Sequence, residues 1–158
     1  MSTARTATGA TATAEIPTVA TDPAASGDAP IVVFDGVCRL CSRWVAFLLK
    51  HDRTGRIRFA AMQGNHGRSL LQRHGLDPDD PTSFLWIDRG RGYRNSDAIL
   101  RLIAGFGGIW RLSGALRAIP RPLRDAGYRF IARNRYCWFG RNATCLVADE
   151  SVRARFLE

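Results

Sequence analysis

The feature that most constrains this chain is the order in which a short apolar run, a turn and two cysteines follow one another. Residues 31–34 are apolar and mostly β-branched, which is typical of a buried strand. Asp35-Gly36 is typical of a turn, and an amphipathic stretch begins at once after it. Cys38 and Cys41 therefore fall at a helix N-terminus, where free N–H groups and partial positive charge stabilise a thiolate. Because the thiolate is the reactive form of cysteine, this order predicts dithiol–disulfide chemistry.

The first 29 residues differ in composition from the rest of the chain. They are mostly Ala and Thr, and they cannot bury enough apolar area to offset the entropy lost on ordering. We expect a disordered leader over 1–29 and a single domain over 30–158. A secretory signal is not indicated, and a transit peptide would have Arg5 as its one basic residue. We expect a cytoplasmic protein, and no run of about 18 apolar residues predicts a membrane span.

The chain is strongly basic, with a formal charge of +9. The first 29 residues hold one arginine and three acids, so the remainder carries +11, nearly all of it from arginine. This charge favours an anionic partner, such as nucleic acid or an anionic membrane surface. In the other interpretation, two C-terminal helices cover the sheet with Leu123, Phe130 and Ile131 while their arginines face water. Both interpretations place the arginines on a helical surface within about 109–136.

Four cysteines, Cys38, Cys41, Cys137 and Cys145, set the kind of chemistry that is possible. In a reducing compartment a C-x-x-C pair is either catalytic or metal-binding rather than a structural disulfide. A zinc site wants four ligands, but Cys137 and Cys145 lie eight residues apart, which is not a usual ligand spacing. Inert core thiols are the third alternative. We expect redox chemistry with no cofactor and no metal.

The pattern of elements predicts an α/β fold. Strands are expected at 31–34, 57–61 and 83–87, with a hairpin turn at 88–92 and a returning strand after it. Helices are expected at 38–51, 69–74, 110–119 and 122–134, together with one over 96–106 that Ser96 caps. By analogy of element order, this is a thioredoxin-like mixed sheet flanked by helices, with a helical C-terminal extension.

Several segments resemble the DCC family of predicted thiol-disulfide oxidoreductases, named for Asp-Cys-Cys. The resemblance begins with residues 34–41, continues through 51–59 and the Ser-Asp-Ala start at 96–98, and includes 120–125, 128–136 and Phe139-Gly140. It covers about residues 31–145 and implies a small thioredoxin-like protein that acts on protein or small-molecule disulfides or thiols. Cys137 departs from the family pattern.

Each residue of the motif has an expected role. Cys38 is expected to be the exposed nucleophile with the lower pKa, and Cys41 to resolve the mixed disulfide. Arg39 should lower the pKa of Cys38. Asp35 should raise that pKa, and it acts either as a proton acceptor or as a turn residue that binds backbone N–H groups. Gly36 permits the tight turn, either through a positive φ or because a Cβ would not fit.

Pro81 is a further candidate supporting residue, because it precedes the third strand. In thioredoxin-like proteins a cis-proline at this junction faces the dithiol. A trans turn proline is the alternative, since most X-Pro bonds are trans.

Overall fold

The structure is a computed structural model that describes residues 29–80, 82, 84–143 and 150–157. The leader expected over 1–29 lies outside the described residues except for Ala29. Pro81 and Cys145 also lie outside them, so the expectations for these two residues stay predictions.

The described residues form a mixed sheet with helices on both faces, which confirms the predicted α/β class and the helical C-terminal part. The strands are β1 (Ile31–Phe34), β2 (Arg58–Ala61), β3 (Leu85–Asp88), β4 (Arg91–Arg94) and β5 (Phe156–Leu157). The helices are α1 (Arg39–His51), α2 (Asn65–Arg73), α3 (Asn95–Ala104), α4 (Arg121–Phe139) and α5 (Glu150–Arg153), with a 3-10 helix at Gly108–Ala118. None of the described helices is long and apolar enough to cross a bilayer.

The sheet has β1 near its centre, in the described order β4-β3-β1-β2-β5. β1 pairs in parallel with β2 and antiparallel with β3, and β5 pairs in parallel with β2. Val32 and Phe34 point into a core with α1 and α3, whereas Val33 points to the opposite face with Leu71 of α2. Burial on both faces explains why β1 is a continuous apolar run. The C-terminal end of this strand therefore opens directly into the two cysteines.

Two helices differ from the sequence prediction by four residues or more at one end. α2 begins at Asn65, four residues before the predicted start, and carries Gly67 on its first turn. A Cβ at Gly67 would overlap the Ala61 carbonyl oxygen, so glycine is what lets α2 pack closely on the end of β2. α4 extends to Phe139, five residues beyond the predicted end, because its apolar positions continue past 134.

The predicted capping role of Ser96 is wrong. α3 begins at Asn95, so Ser96 already lies within its first turn. Its hydroxyl instead donates a 2.5 Å hydrogen bond to Asp125 Oδ1 of α4. Ser96 therefore connects α3 to α4 rather than capping α3.

The expectation that Leu123, Phe130 and Ile131 cover the sheet is also wrong. They are 66%, 61% and 47% exposed. α4 instead turns its other side inward, where Ala132 and Arg135 are buried. Arg135 is buried because it forms an ion pair with a carboxylate in the core, which is described below.

The C-terminal strand β5 had no counterpart in the sequence prediction. Phe156 pairs with Phe59 of β2, and its ring stacks on that of Phe59 at 5.3 Å. The preceding Arg155 donates to the Ile57 carbonyl at 3.1 Å and forms an ion pair with Asp52. This pairing covers the edge of β2 that would otherwise be open.

Candidate dithiol site

The two cysteines lie where the sequence predicts, at the start of α1. Cys38 is the N-cap residue, with extended φ and ψ of −82° and 119°. The Cys41 N–H donates to Cys38 Sγ at 3.4 Å, and the Ser42 N–H donates to the Cys38 carbonyl at 2.9 Å. Cys38 thus uses its sulfur as the cap acceptor that Ser or Asp normally supplies.

The surroundings shift the pKa values of the two thiols in opposite directions. A hydrogen bond from the Cys41 thiol, aided by the Cys41 N–H and the charge of Arg135, lowers the pKa of Cys38 to about 6. Burial and the Asp35 carboxylate oppose this change. The same hydrogen bond and burial raise the pKa of Cys41 above its usual range. At neutral pH the pair is therefore a Cys38 thiolate held by a Cys41 thiol, the order that the sequence predicts.

Cys38 is not the exposed residue that the sequence suggests, because its side chain is completely buried. Residues 140–142, here called the strap, follow α4 and lie over it. Arg141 forms an isolated antiparallel bridge with Cys38. The Arg39 N–H donates to the Gly140 carbonyl at 3.4 Å, and the Asn142 N–H donates to the Val37 carbonyl at 2.8 Å. The chain on both sides of Cys38 is thus paired with the strap.

A side-chain contact also holds the strap in place. Asn142 Nδ2 donates to Ser42 Oγ at 3.0 Å, and Ser42 Oγ in turn donates to the Cys38 carbonyl at 3.1 Å. Ser42, which follows Cys41 in sequence, therefore anchors the cover over Cys38.

Cys41 is the more accessible of the two, since it is only partly buried and borders a cavity of about 180 Å³. The described walls are mostly apolar: Leu40, Trp44, Phe84, Ile99, Tyr128 and Ile131. The indole N–H of Trp44 is buried and has no hydrogen-bond acceptor among the described residues. The cavity therefore offers apolar surface and a sulfur.

Asp35 is buried beneath the dithiol with both oxygens engaged. Oδ1 accepts from the Val37 N–H at 3.1 Å and from Gln63 Nε2 at 2.7 Å. Oδ2 accepts from Arg135 at 2.6 Å and from the Tyr136 hydroxyl. The Val37 bond is the turn contact that the sequence predicts for Asp35. Service as a proton acceptor would require one of these four donors to leave, because a carboxylate has about four acceptor positions.

The sequence does not single out Arg135 as a site residue, and the interpretation that places it among water-facing arginines is wrong. Its side chain is 4% exposed and forms an ion pair with Asp35. Its charge acts on both thiols. Helical spacing was the available signal, since Tyr128, Ala132 and Arg135 follow one another at four and three residues and share one side of α4.

Gln63 and Tyr136 complete the network around Asp35. Gln63 Oε1 accepts from the Gly36 N–H at 3.0 Å while its amide donates to Asp35. Burial and the hydrogen bond to Asp35 raise the pKa of Tyr136, so its phenol stays protonated and donates. Gly36 does not have a positive φ, so that explanation of the glycine is wrong, and lack of space for a Cβ stays a prediction.

Arg39 is exposed, and its aliphatic stem packs against Gly140 of the strap. The cation that the structure places beside the thiols is Arg135, so an effect of Arg39 on the pKa of Cys38 stays a prediction. Within the described ranges, His, Cys, Asp and Glu side chains form no group of three or more that could hold a metal ion.

A mixed α/β domain that carries a low-pKa thiol at the N-cap of its first helix, with a second thiol one turn on, has the features of a thiol-disulfide oxidoreductase. The sequence profile described as DCC1-like thiol-disulfide oxidoreductase matches residues 32–141. The chain belongs to this family.

Two relatives extend the comparison. The chain is 42% identical over 127 residues to "Uncharacterized protein YuxK" of Bacillus subtilis, which covers 80% of this chain and 93% of the relative. It is 40% identical over 117 residues to "DCC family protein At1g52590, chloroplastic" of Arabidopsis thaliana, which covers 73% and 68%. No solved structure shows a significant match.

Proposed function

We propose that this protein reduces disulfides, with Cys38 as nucleophile and Cys41 as resolving thiol. The observation that carries the proposal is the pairing of the two sulfurs at the start of α1, which lowers the pKa of Cys38 to about 6. Thiolate is thus the main form of Cys38 at neutral pH, and thiolate is what attacks a disulfide.

The proposed reaction has two steps. The Cys38 thiolate attacks one sulfur of the substrate disulfide, forms a mixed disulfide and releases the other sulfur as a thiolate, which takes a proton from water. Cys41 then gives up its proton, attacks Cys38 Sγ and releases the second substrate sulfur, which takes a proton to become a thiol. The products are a Cys38–Cys41 disulfide and a dithiol, and two electrons have passed to the substrate. A second dithiol reductant restores the pair.

Burial adds a condition to the first step. Because Cys38 is covered, the strap must move away before a substrate sulfur reaches it. The freed Val37 carbonyl and Arg39 N–H are then available to pair with substrate backbone, as they now pair with the strap. The apolar cavity beside Cys41 accommodates a neighbouring substrate side chain.

The compartment is part of the same proposal. A dithiol that donates electrons needs a reducing pool, and the cytoplasm supplies one. Asp35, Gly36 and Arg135 act in this proposal as supporting residues that shape the turn and set the charge. Pro81 stays a candidate for substrate contact at the third strand.

The test traps the first intermediate. In a background with Cys137→Ser and Cys145→Ser, the Cys41→Ser variant is mixed with a labelled peptide disulfide. We expect a stable 1:1 mixed disulfide, which mass spectrometry of the digest assigns to Cys38. With Cys41 present, the label should leave as thiol and an internal disulfide should remain.

The matched control is Cys38→Ser in the same background. It keeps Cys41 and should form little adduct at neutral pH, because burial, which does not depend on Cys38, still raises the Cys41 pKa. Equal or faster labelling of Cys41 in that variant would assign the nucleophile to Cys41 and overturn the proposed roles.

A further inference from the structure

The exposed large apolar side chains of the described residues are confined to one part of the chain, 109–139. Ile109 is 74% exposed, Leu112 is 70% exposed and Leu123 is 66% exposed. The 3-10 helix that carries the first two has no buried residue. Exposed apolar side chains that are concentrated in two consecutive helices indicate an interaction surface, whereas single exposed apolar residues scattered over a protein do not.

On α4 three of the exposed apolar residues share one side. Leu123, Phe130 and Trp138 are separated by seven and eight residues, close to two full turns each. The rings of Phe130 and Trp138 contact each other edge to face, with centroids 5.5 Å apart. Leu123 and Phe130 lie on the opposite side of the helix from Ala132, which faces the core.

The same stretch is almost purely cationic. Residues 107–141 contain eight arginines, no lysine and a single acid, Asp125. The side chain of Asp125 is only 13% exposed, and it is bound to Ser96 and paired with Arg121 at 3.7 Å. Exposed arginines at 111, 117, 129 and 133 therefore lie among the apolar side chains with no exposed acid in the stretch.

We propose that the 3-10 helix and the outer side of α4 form a docking surface for an anionic lipid bilayer. A bilayer surface accepts aliphatic side chains below its headgroups while its phosphates pair with arginine. A second copy of this chain is a poor occupant, because it would bring a surface of the same positive charge. Nucleic acid would match the arginines but would leave the exposed aliphatic side chains Ile109, Leu112 and Leu123 in water. This proposal is independent of the dithiol chemistry.

The experiment measures co-sedimentation of the full chain with vesicles of phosphatidylcholine alone or with 30% phosphatidylglycerol at about 0.1 M salt. We expect binding to the anionic vesicles only. Arg111→Gln with Arg117→Gln should weaken it about 10-fold or more. Ile109→Ser with Leu112→Ser should weaken it by a similar factor.

The matched control is Arg73→Gln with Arg91→Gln, which removes the same charge from exposed positions on α2 and β4. It should change vesicle binding by less than about 3-fold, since neither position belongs to the proposed surface. Thermal melting of each variant checks that it remains folded, as is expected for exposed positions.

Three results would overturn the proposal. One is an equal loss of vesicle binding in the two arginine double variants, which would mean that binding depends only on the total charge. Another is tighter binding to duplex DNA than to anionic vesicles at the same salt, which would assign the surface to nucleic acid. The third is a stable dimer at micromolar concentration that the Ile109→Ser, Leu112→Ser variant abolishes.

Discussion

Asp35 and Arg135 form a buried ion pair with 2.6 Å between oxygen and nitrogen, although 100 residues separate them in the chain. The pair fastens α4 to the turn that leads into the dithiol. It also places a positive charge beside both cysteines without exposing it to water. The helical C-terminal part is therefore a component of the site as well as a packing partner of α1 and α3.

Removal of Arg135 should affect both stability and reactivity. Arg135→Gln leaves the Asp35 carboxylate buried without its cation, which typically costs about 3–5 kcal/mol. It should also raise the pKa of Cys38, because a stabilising positive charge is lost. Urea unfolding and thiolate absorbance against pH measure the two effects. Arg133→Gln, an exposed neighbour on the same helix, should change neither.

Removal of the carboxylate should shift the thiol in the opposite direction. Asp35 raises the pKa of Cys38, so Asp35→Asn should lower it while still destabilising the fold. The double variant Asp35→Asn, Arg135→Gln should be more stable than Arg135→Gln alone, because no unpaired charge is left in the core. A Cys38 pKa that rises in Asp35→Asn would show that the carboxylate acts mainly by holding the turn.

The pH dependence of alkylation should report Cys38 alone. With Cys137 and Cys145 replaced by serine, the rate should rise through a midpoint near pH 6, the pKa of Cys38. Cys41→Ala should move that midpoint upward, because the hydrogen bond from Cys41 is the largest influence on the Cys38 pKa. A midpoint near the ordinary thiol value of about 8.5 in the parent would contradict the described arrangement.

The strap should set the rate at which Cys38 becomes accessible without setting its pKa. Asn142→Ala removes the hydrogen bond to Ser42, worth about 1 kcal/mol, so alkylation of Cys38 should be about 5-fold faster at fixed pH. Asn134→Ala is the control, since its side chain bonds the Phe130 carbonyl within α4 and no residue of the strap among those described. Unchanged alkylation in Asn142→Ala would mean that the strap does not limit access.

Acid should weaken the attachment of the C-terminal strand. Burial opposes ionisation of Asp52, but hydrogen bonds from Thr54 and Ile57 and the charge of Arg155 outweigh it and lower its pKa. A lowered carboxyl pKa stabilises the fold above the unfolded value of about 3.9, and this contribution disappears as pH falls through the folded value. Asp52→Asn should therefore lower stability at pH 7 by about 1–3 kcal/mol and by much less near pH 2. Equal losses at both pH values would contradict this.

Two glycines should respond oppositely to alanine. Gly67→Ala forces a Cβ against the Ala61 carbonyl and should destabilise by about 2 kcal/mol or more. Gly127 lies within α4 with open space around it, so Gly127→Ala should stabilise by about 0.5–1 kcal/mol. Thermal melting distinguishes the two, and a neutral Gly67→Ala would show that α2 is free to shift.

The parts of the fold that could be predicted are those that depend on neighbours in sequence. β1, the start of α1 and the β3–β4 hairpin follow from local apolar patterns and turn residues. Arg135, the strap and β5 could not be found in this way, because their partners lie about 100 residues earlier. The burial of Cys38 was missed for the same reason, since a helix N-terminus is normally open until a distant segment covers it.

The cover over Cys38 has a consequence for damage by oxidants. A low-pKa thiolate exposed to water is the group that peroxide converts to sulfenic acid and then irreversibly to sulfinic acid. Cys38 has a lowered pKa because of Cys41 and Arg135, but its sulfur has no contact with solvent. The strap covers it. A sulfenic acid at Cys38 would lie beside the Cys41 thiol, and condensation of the two would give a reducible disulfide and water. On the proposed function, the first oxidation product of the site is therefore recoverable.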